Sequence, residues 1–282
     1  MIIHKRLYRF LFSLNLKYNK YIWNAILGSH HPDFLIIGSA KCGTTFLKEN
    51  LNKNPDIFIP RNEIDFFSSN YRMGMEWYKS HFFYNNKIQG DKSPSYIYDK
   101  TSHKRMFNHL PNAKLILLLR NPVARAFSNW SMRINKKSIG NINGVDTYNF
   151  NELVDHYFQW IEHTDIIKNN PLDIIETGKY IEQIESLLQF YPKESLRIYI
   201  YEDVFLNSEA SLEFLRDVHG FLNIKYDKKY TLNKVIRSGR YKSELELDTA
   251  KKLSDFYKPY NERLSKFLNH SLESWNSLYE DR

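Results

Sequence analysis

Phe34-Leu35-Ile36-Ile37-Gly38-Ser39-Ala40-Lys41-Cys42-Gly43-Thr44-Thr45 runs from four apolar residues into a loop bounded by two glycines. Phe46, Leu47 and Leu51 then repeat at helical spacing. The apolar run is too short for a helix and suits a strand buried on both faces. Strand, glycine loop and helix start together form the geometry that aims backbone N–H groups and a helix dipole at an anion. Gly38 and Gly43 match the two glycines of the nucleotide phosphate loop G-x-x-x-x-G-K-[ST]. Thr44 stands where that motif has lysine, and the lysine, Lys41, lies inside the loop. These residues predict a phosphate cradle that departs from one built for ATP with magnesium; a tight turn using glycine for backbone reasons alone is the competing reading.

The chain has 282 residues, 42% hydrophobic, 16% aromatic and 26% charged, enough for one α/β domain with insertions. A single cysteine, Cys42, excludes an intrachain disulfide; in this loop it reads as a small residue rather than a nucleophile. The ten histidines are scattered without the close helical pairing of a zinc site. Of the net charge of +8, Lys5, Arg6, Arg9, Lys17 and Lys20 supply five before the first acidic residue, Asp33. The remainder is too weakly basic for a broad nucleic-acid face.

Residues 1–30 read as an amphipathic helical segment, with Leu7, Phe10, Leu11, Leu14, Tyr18, Tyr21, Ile22 and Ala25 on one stripe. Packing on the domain is the plain reading, and peripheral contact with an anionic membrane the sharper one. With neither a signal peptide nor a span evident, the expected location is cytoplasmic, with membrane contact through this segment as the variant.

Further along, Asn54–Pro60 reads as a short strand. Glu63 and Asp65 stand immediately before Phe66 and Phe67, where apolar bulk can raise a carboxylate's pKa and suit it to act as a base. Met75–Phe82 reads as a short helix, and Ile88–Tyr96 as a strand end opening into a turn. Pro94 disfavours helix there and so places Lys92 and Ser93 at a strand terminus. Lys114–Leu119 is the clearest strand. Asn121 and Pro122 begin a helix carrying Arg125, Phe127, Ser128 and Trp130, which puts Arg120 at a buried strand's tip, placed to hold phosphate.

Residues 136–148 read as a loop, followed by a helix from Phe150 to Ile161. A further helix passes through Tyr180 and Leu188, and Leu196–Asp203 reads as a strand ending in acids, which keeps a magnesium-dependent kinase reading open. A helix over 210–221 follows, then the basic glycine turn Ser238-Gly239-Arg240-Tyr241 and a last helix expected to bend at Pro259.

In their order and spacing these segments resemble the sulfotransferases that use 3′-phosphoadenosine 5′-phosphosulfate, closest to the carbohydrate, heparan-sulfate-like branch, over roughly residues 33–268. The resemblance implies a three-layer α/β/α P-loop-type fold around a mainly parallel sheet. It also implies a sulfotransferase domain over 31–282 with a helical insertion at about 136–175. Lys41, Cys42, Gly43, Thr44 and Thr45 correspond to the 5′-phosphosulfate loop, Arg120 and Ser128 to the 3′-phosphate ligands, and Ser238, Gly239, Arg240 and Tyr241 to a turn closing over the nucleotide. Glu63 maps to the catalytic glutamate, acting with Lys41 and Lys92. Asp65, Phe66, Lys92 and Ser93 line the acceptor side, and no metal is called for. Asp65 stands where several glycan sulfotransferases have histidine, and Ser238 where a lysine is common. The expected partner is a hydroxyl acceptor on a glycan or glycolipid. A P-loop kinase is the alternative, which Thr44 disfavours, and a non-catalytic nucleotide- or glycan-binding protein of the same fold is a third reading.

Overall fold

The computed structural model describes residues 31–82, 87–136, 141–142, 145–146, 149–161, 173–230 and 244–277. The segment 1–30, the turn Ser238–Tyr241 and part of the expected insertion lie outside them.

Five parallel strands form the main sheet: β1 (Phe34–Gly38), β2 (Ile57–Phe58), β3 (Ile88–Lys92), β4 (Lys114–Leu119) and β7 (Leu196–Ile200), in the order β2-β3-β1-β4-β7. Strict alternation along β1 and β4 divides the core. Leu35, Ile37, Leu115, Leu117 and Leu119 join one apolar cluster, and Phe34, Ile36, Ile116 and Leu118 join another. The first cluster is covered by α3 (Lys100–His109) and α7 (Tyr180–Leu187) through Met106, Ile181, Ile184 and Leu187. The second is covered by α1 (Thr44–Leu51) and α9 (Ser208–Phe221) through Phe46, Leu47, Leu51, Phe214, Leu215 and Val218. A sheet buried on both faces needs apolar residues at consecutive positions, which is why β1 and β4 read as continuous runs.

A third cluster joins α4 (Pro122–Asn135), α5 (Phe150–Ile161), α6 (Asp173–Glu176) and α10 (Leu247–Leu268) through Trp130, Tyr157, Ile175 and Tyr257. Helix α10 continues through Pro259. A short helix, α2 (Met75–Lys79), and α11 (Glu273–Ser277) also lie among the described residues.

Two local expectations change. Within 136–148 the chain forms a small antiparallel ribbon, β5 (Asn141–Ile142) with β6 (Val145–Asp146). The strand expected to end in acids stops at Ile200, and Glu202 and Asp203 fall on a one-turn helix, α8 (Tyr201–Val204).

The strand order positions the site. After β1 the chain runs out to the edge strand β2, returns inward to β3 beside β1, then crosses to β4 on the other side. The loops leaving β1, β3 and β4 therefore gather at one sheet edge around the reversal, where open α/β sheets bind ligands.

Candidate active site

At that edge lies a cleft of about 560 Å³ whose lining includes Lys41, Gly43, Thr44, Thr45, Glu63, Asp65, Lys92, Arg120 and Ser128. The first wall is the loop leaving β1. A Cβ at Gly38 would sit 2.4 Å from Ile97 Cγ2, and one at Gly43, where φ is 89°, would sit 2.8 Å from Phe205. Both positions therefore require glycine. Gly43 is the N-cap of α1 and supplies no side chain to its amides, so the first turn presents uncapped N–H groups beside Lys41 at the cleft. Cys42 turns the other way. Its side chain joins the apolar cluster under α1, its N–H donates to Ser39 O at 3.2 Å, and burial pushes its thiol up to about 12. The expected ligand position at Cys42 is therefore structural support for the loop.

The second wall is the tip of β4 and the start of α4. Asn121 Oδ1 accepts from the N–H groups of Val123 and Ala124 at 3.0 and 3.1 Å. Arg120 lies 4.6 Å above the Tyr201 ring, and its carbonyl accepts from Tyr180 Oη–H at 2.9 Å. Ser128 faces the same space two turns into α4. Arg125, between them in sequence, is buried, lines the cleft and donates to Ile174 O. Glu202 accepts from Asn121 N–H at 3.0 Å through one oxygen and from Trp275 Nε1–H at 3.1 Å through the other. The acid that suggested a magnesium ligand thus ties the β4 tip to α11.

The third wall carries the carboxylates. Glu63, 46% exposed, is ion-paired with Lys92, 8% exposed. Asp65 adopts a left-handed backbone, φ 48°, and accepts from Ser95 Oγ–H at 2.6 Å. Burial raises its pKa, the Ser95 hydrogen bond opposes that, and the nearby Glu63 charge adds to the rise.

Beneath this wall, fully buried Asp91 accepts from Ser93 Oγ–H at 2.9 Å and from the hydroxyls of Tyr78 and Tyr96 at 3.0 and 2.6 Å. Ser93 Oγ in turn accepts from Asp65 N–H at 3.0 Å, and Tyr96 Oη from Phe66 N–H at 2.9 Å. Two consecutive amides of the Glu63 loop therefore hang from one buried carboxylate. Burial lifts Asp91 to about 6 against the hydrogen bonds that lower it.

Ser93 and Phe66 accordingly sit behind the wall, Phe66 stacked on Tyr78 at 4.5 Å. Expected as acceptor contacts, they instead hold the loop in place. Sequence reasoning also passed over Asp91, Arg125 and Tyr98. The alternation Tyr96/Tyr98 after Pro94 is the available sign for Tyr98, a residue 40% exposed that lines the cleft.

Residues 31–255 match the sulfotransferase domain family. The membrane-associated sulfotransferase kil1 of Dictyostelium discoideum is 27% identical over 87% of this chain and 67% of its own. Heparan sulfate glucosamine 3-O-sulfotransferase 5 of Mus musculus is 27% identical over 86% and 73%. The crystal structure of a sulfotransferase from Alicyclobacillus acidocaldarius superposes with a TM-score of 0.67 at 24% identity, covering 87% of this chain and 99% of that one, a likeness of fold.

Proposed function

Because the chain belongs to the sulfotransferase domain family and is an enzyme that transfers sulfuryl groups, we propose that its donor is 3′-phosphoadenosine 5′-phosphosulfate and its acceptor a glycan hydroxyl. The observation that carries this reading is the meeting, in one cleft, of the Lys41–Thr45 loop, the Arg120/Ser128 pair and the Glu63–Lys92 pair. The uncapped turn of α1 and the cations beside it fit a nucleotide that carries two anionic groups, a 5′-phosphosulfate and a 3′-phosphate. When bound, the donor supplies the electrophilic sulfur and a 5′-phosphate leaving group.

Lys41 and the first-turn amides of α1 stabilise negative charge on the leaving side. Arg120 and Ser128 hold the 3′-phosphate and so separate this donor from ATP. Glu63 takes the proton of the acceptor hydroxyl, in line with its open face on the cleft. Lys92 orients Glu63 and offers positive charge to the group in transfer. The resemblance also assigns Ser238, Gly239, Arg240 and Tyr241, which lie outside the described residues, to nucleotide binding. Among the described residues no helix is long and apolar enough to cross a membrane. The basic stretch 1–30 is where this chain would make peripheral membrane contact from the cytoplasm.

Calorimetry with adenosine 3′,5′-bisphosphate and with ATP, each with and without magnesium, tests the donor. The bisphosphate is expected to bind without metal and more tightly than ATP. Arg120→Ala should weaken it by roughly 10- to 100-fold, the value of a charged hydrogen-bonded contact. Tighter, magnesium-dependent binding of ATP would overturn the reading.

A further inference from the structure

We propose that the acceptor ring docks on Tyr98 and Asp65 and is an uncharged sugar rather than a sulfated or uronate-bearing chain; this rests on the reading of the cleft as a sulfuryl-transfer site.

The two ends of the cleft differ in charge. Lys41, Arg120 and Arg125 belong to the walls built by the β1 loop and the β4 tip. The wall that carries Glu63 also carries Asp65, and the cation acting on both, Lys92, is bonded to Glu63. Arg133, further along α4, is paired with Asp173 at 2.9 Å, and Lys136 follows at the C-terminal end of that helix. Among the described residues, the wall that carries the proposed base therefore holds two carboxylates against one ammonium, with Lys136 and the Asp173-paired Arg133 lining the cleft from α4.

Asp65 is held in a specific pose. Its side chain is fixed by Ser95, whose Oγ lies 2.8 Å from Ser68 Oγ. A carboxylate in that position has acceptor capacity left over, which suits sugar hydroxyl donors. Placing a sulfate or carboxylate there would set like charges together in a half-buried site, a discrimination worth large factors in affinity. Tyr98 completes the surface. It is one of the few large aromatic side chains left exposed among the described residues, it lines the cleft, and it lies within electrostatic range of the Asp173–Arg133 pair and of Asp65. An exposed ring beside a fixed hydrogen-bond acceptor matches the apolar face and hydroxyl edge of a pyranose.

The test measures transfer from radiolabelled donor to uncharged tetrasaccharides of glucose, galactose and N-acetylglucosamine, and to a heparan sulfate tetrasaccharide. At least one uncharged acceptor should exceed the sulfated one by about tenfold or more in kcat/KM. Asp65→Asn should raise KM for the uncharged acceptor and shrink the preference severalfold. Tyr98→Ala, at a surface position, should raise the same KM without changing bisphosphate affinity. Equal or better use of the sulfated tetrasaccharide, or no transfer to any uncharged one, overturns the proposal. Failure of the donor reading shows separately, as loss of bisphosphate binding in the unmodified protein.

Discussion

Glu63 and Lys92 lie 29 residues apart and meet as an ion pair at the cleft. Both residues could be nominated from their neighbours: Glu63 by the aromatics after it, Lys92 by the proline two positions on. Their pairing could not, because it depends on how the Glu63 loop lies over the end of β3. Glu63→Gln keeps the shape and removes the base. Turnover should fall by roughly 100-fold or more while bisphosphate affinity stays nearly unchanged. A single-turnover assay showing full activity would remove Glu63 from that role. Cys42 marks the limit of motif reading at this scale. Its place in a phosphate-loop pattern suggests contact with a ligand, yet its side chain packs under α1.

Two helices that border the cleft begin differently. Asn121 caps α4 with its own side chain, whereas Gly43 leaves the first turn of α1 without one. The first arrangement stabilises the helix by itself; the second leaves donors for an anion. Strand β3 does a related job for the carboxylate wall by burying Asp91 beneath it. Asp91 has its pKa raised from 3.8 to about 6 in the fold, chiefly by burial. A carboxyl group raised on folding contributes stability that is fully present below its unfolded pKa and is lost as pH rises through its folded one. The stability of the unmodified protein minus that of Asp91→Asn should therefore fall between about pH 4 and pH 6, then level off. Urea denaturation across that range measures it, and a constant difference would show that Asp91 does not titrate this way.

Across the whole molecule, α11 reaches back to the β4 tip at the cleft. Trp275 is 2% exposed, packs on Tyr180, donates to Glu202 and offers its carbonyl to Asn121 Nδ2–H at 3.2 Å. Glu202 and Asn121 in turn set the β4 tip that bears Arg120. Trp275→Ala should cost about 3–5 kcal/mol of stability, the range for a buried large aromatic, and should also weaken bisphosphate binding. Denaturation and calorimetry on the same variant check both; intact affinity would show that α11 stabilises the fold without positioning Arg120.

The sequence by itself determined the strand–loop–helix unit, the α/β class and part of the cleft's lining, Lys41, Glu63, Lys92, Arg120 and Ser128 among it. Those features follow from short-range causes: unbroken apolar runs, glycines where a Cβ has no room, and an asparagine–proline helix start. Tertiary structure alone decided that Asp91 carries the Glu63 loop, that Glu202 bonds Asn121 and Trp275, and that Tyr98 joins Asp65 at the cleft. Asp91 reaches Tyr78 across 13 residues and Glu202 reaches Trp275 across 73. Such contacts are chosen by which elements the sheet order brings together and by the requirement that each buried polar group find a partner, and no local spacing encodes either.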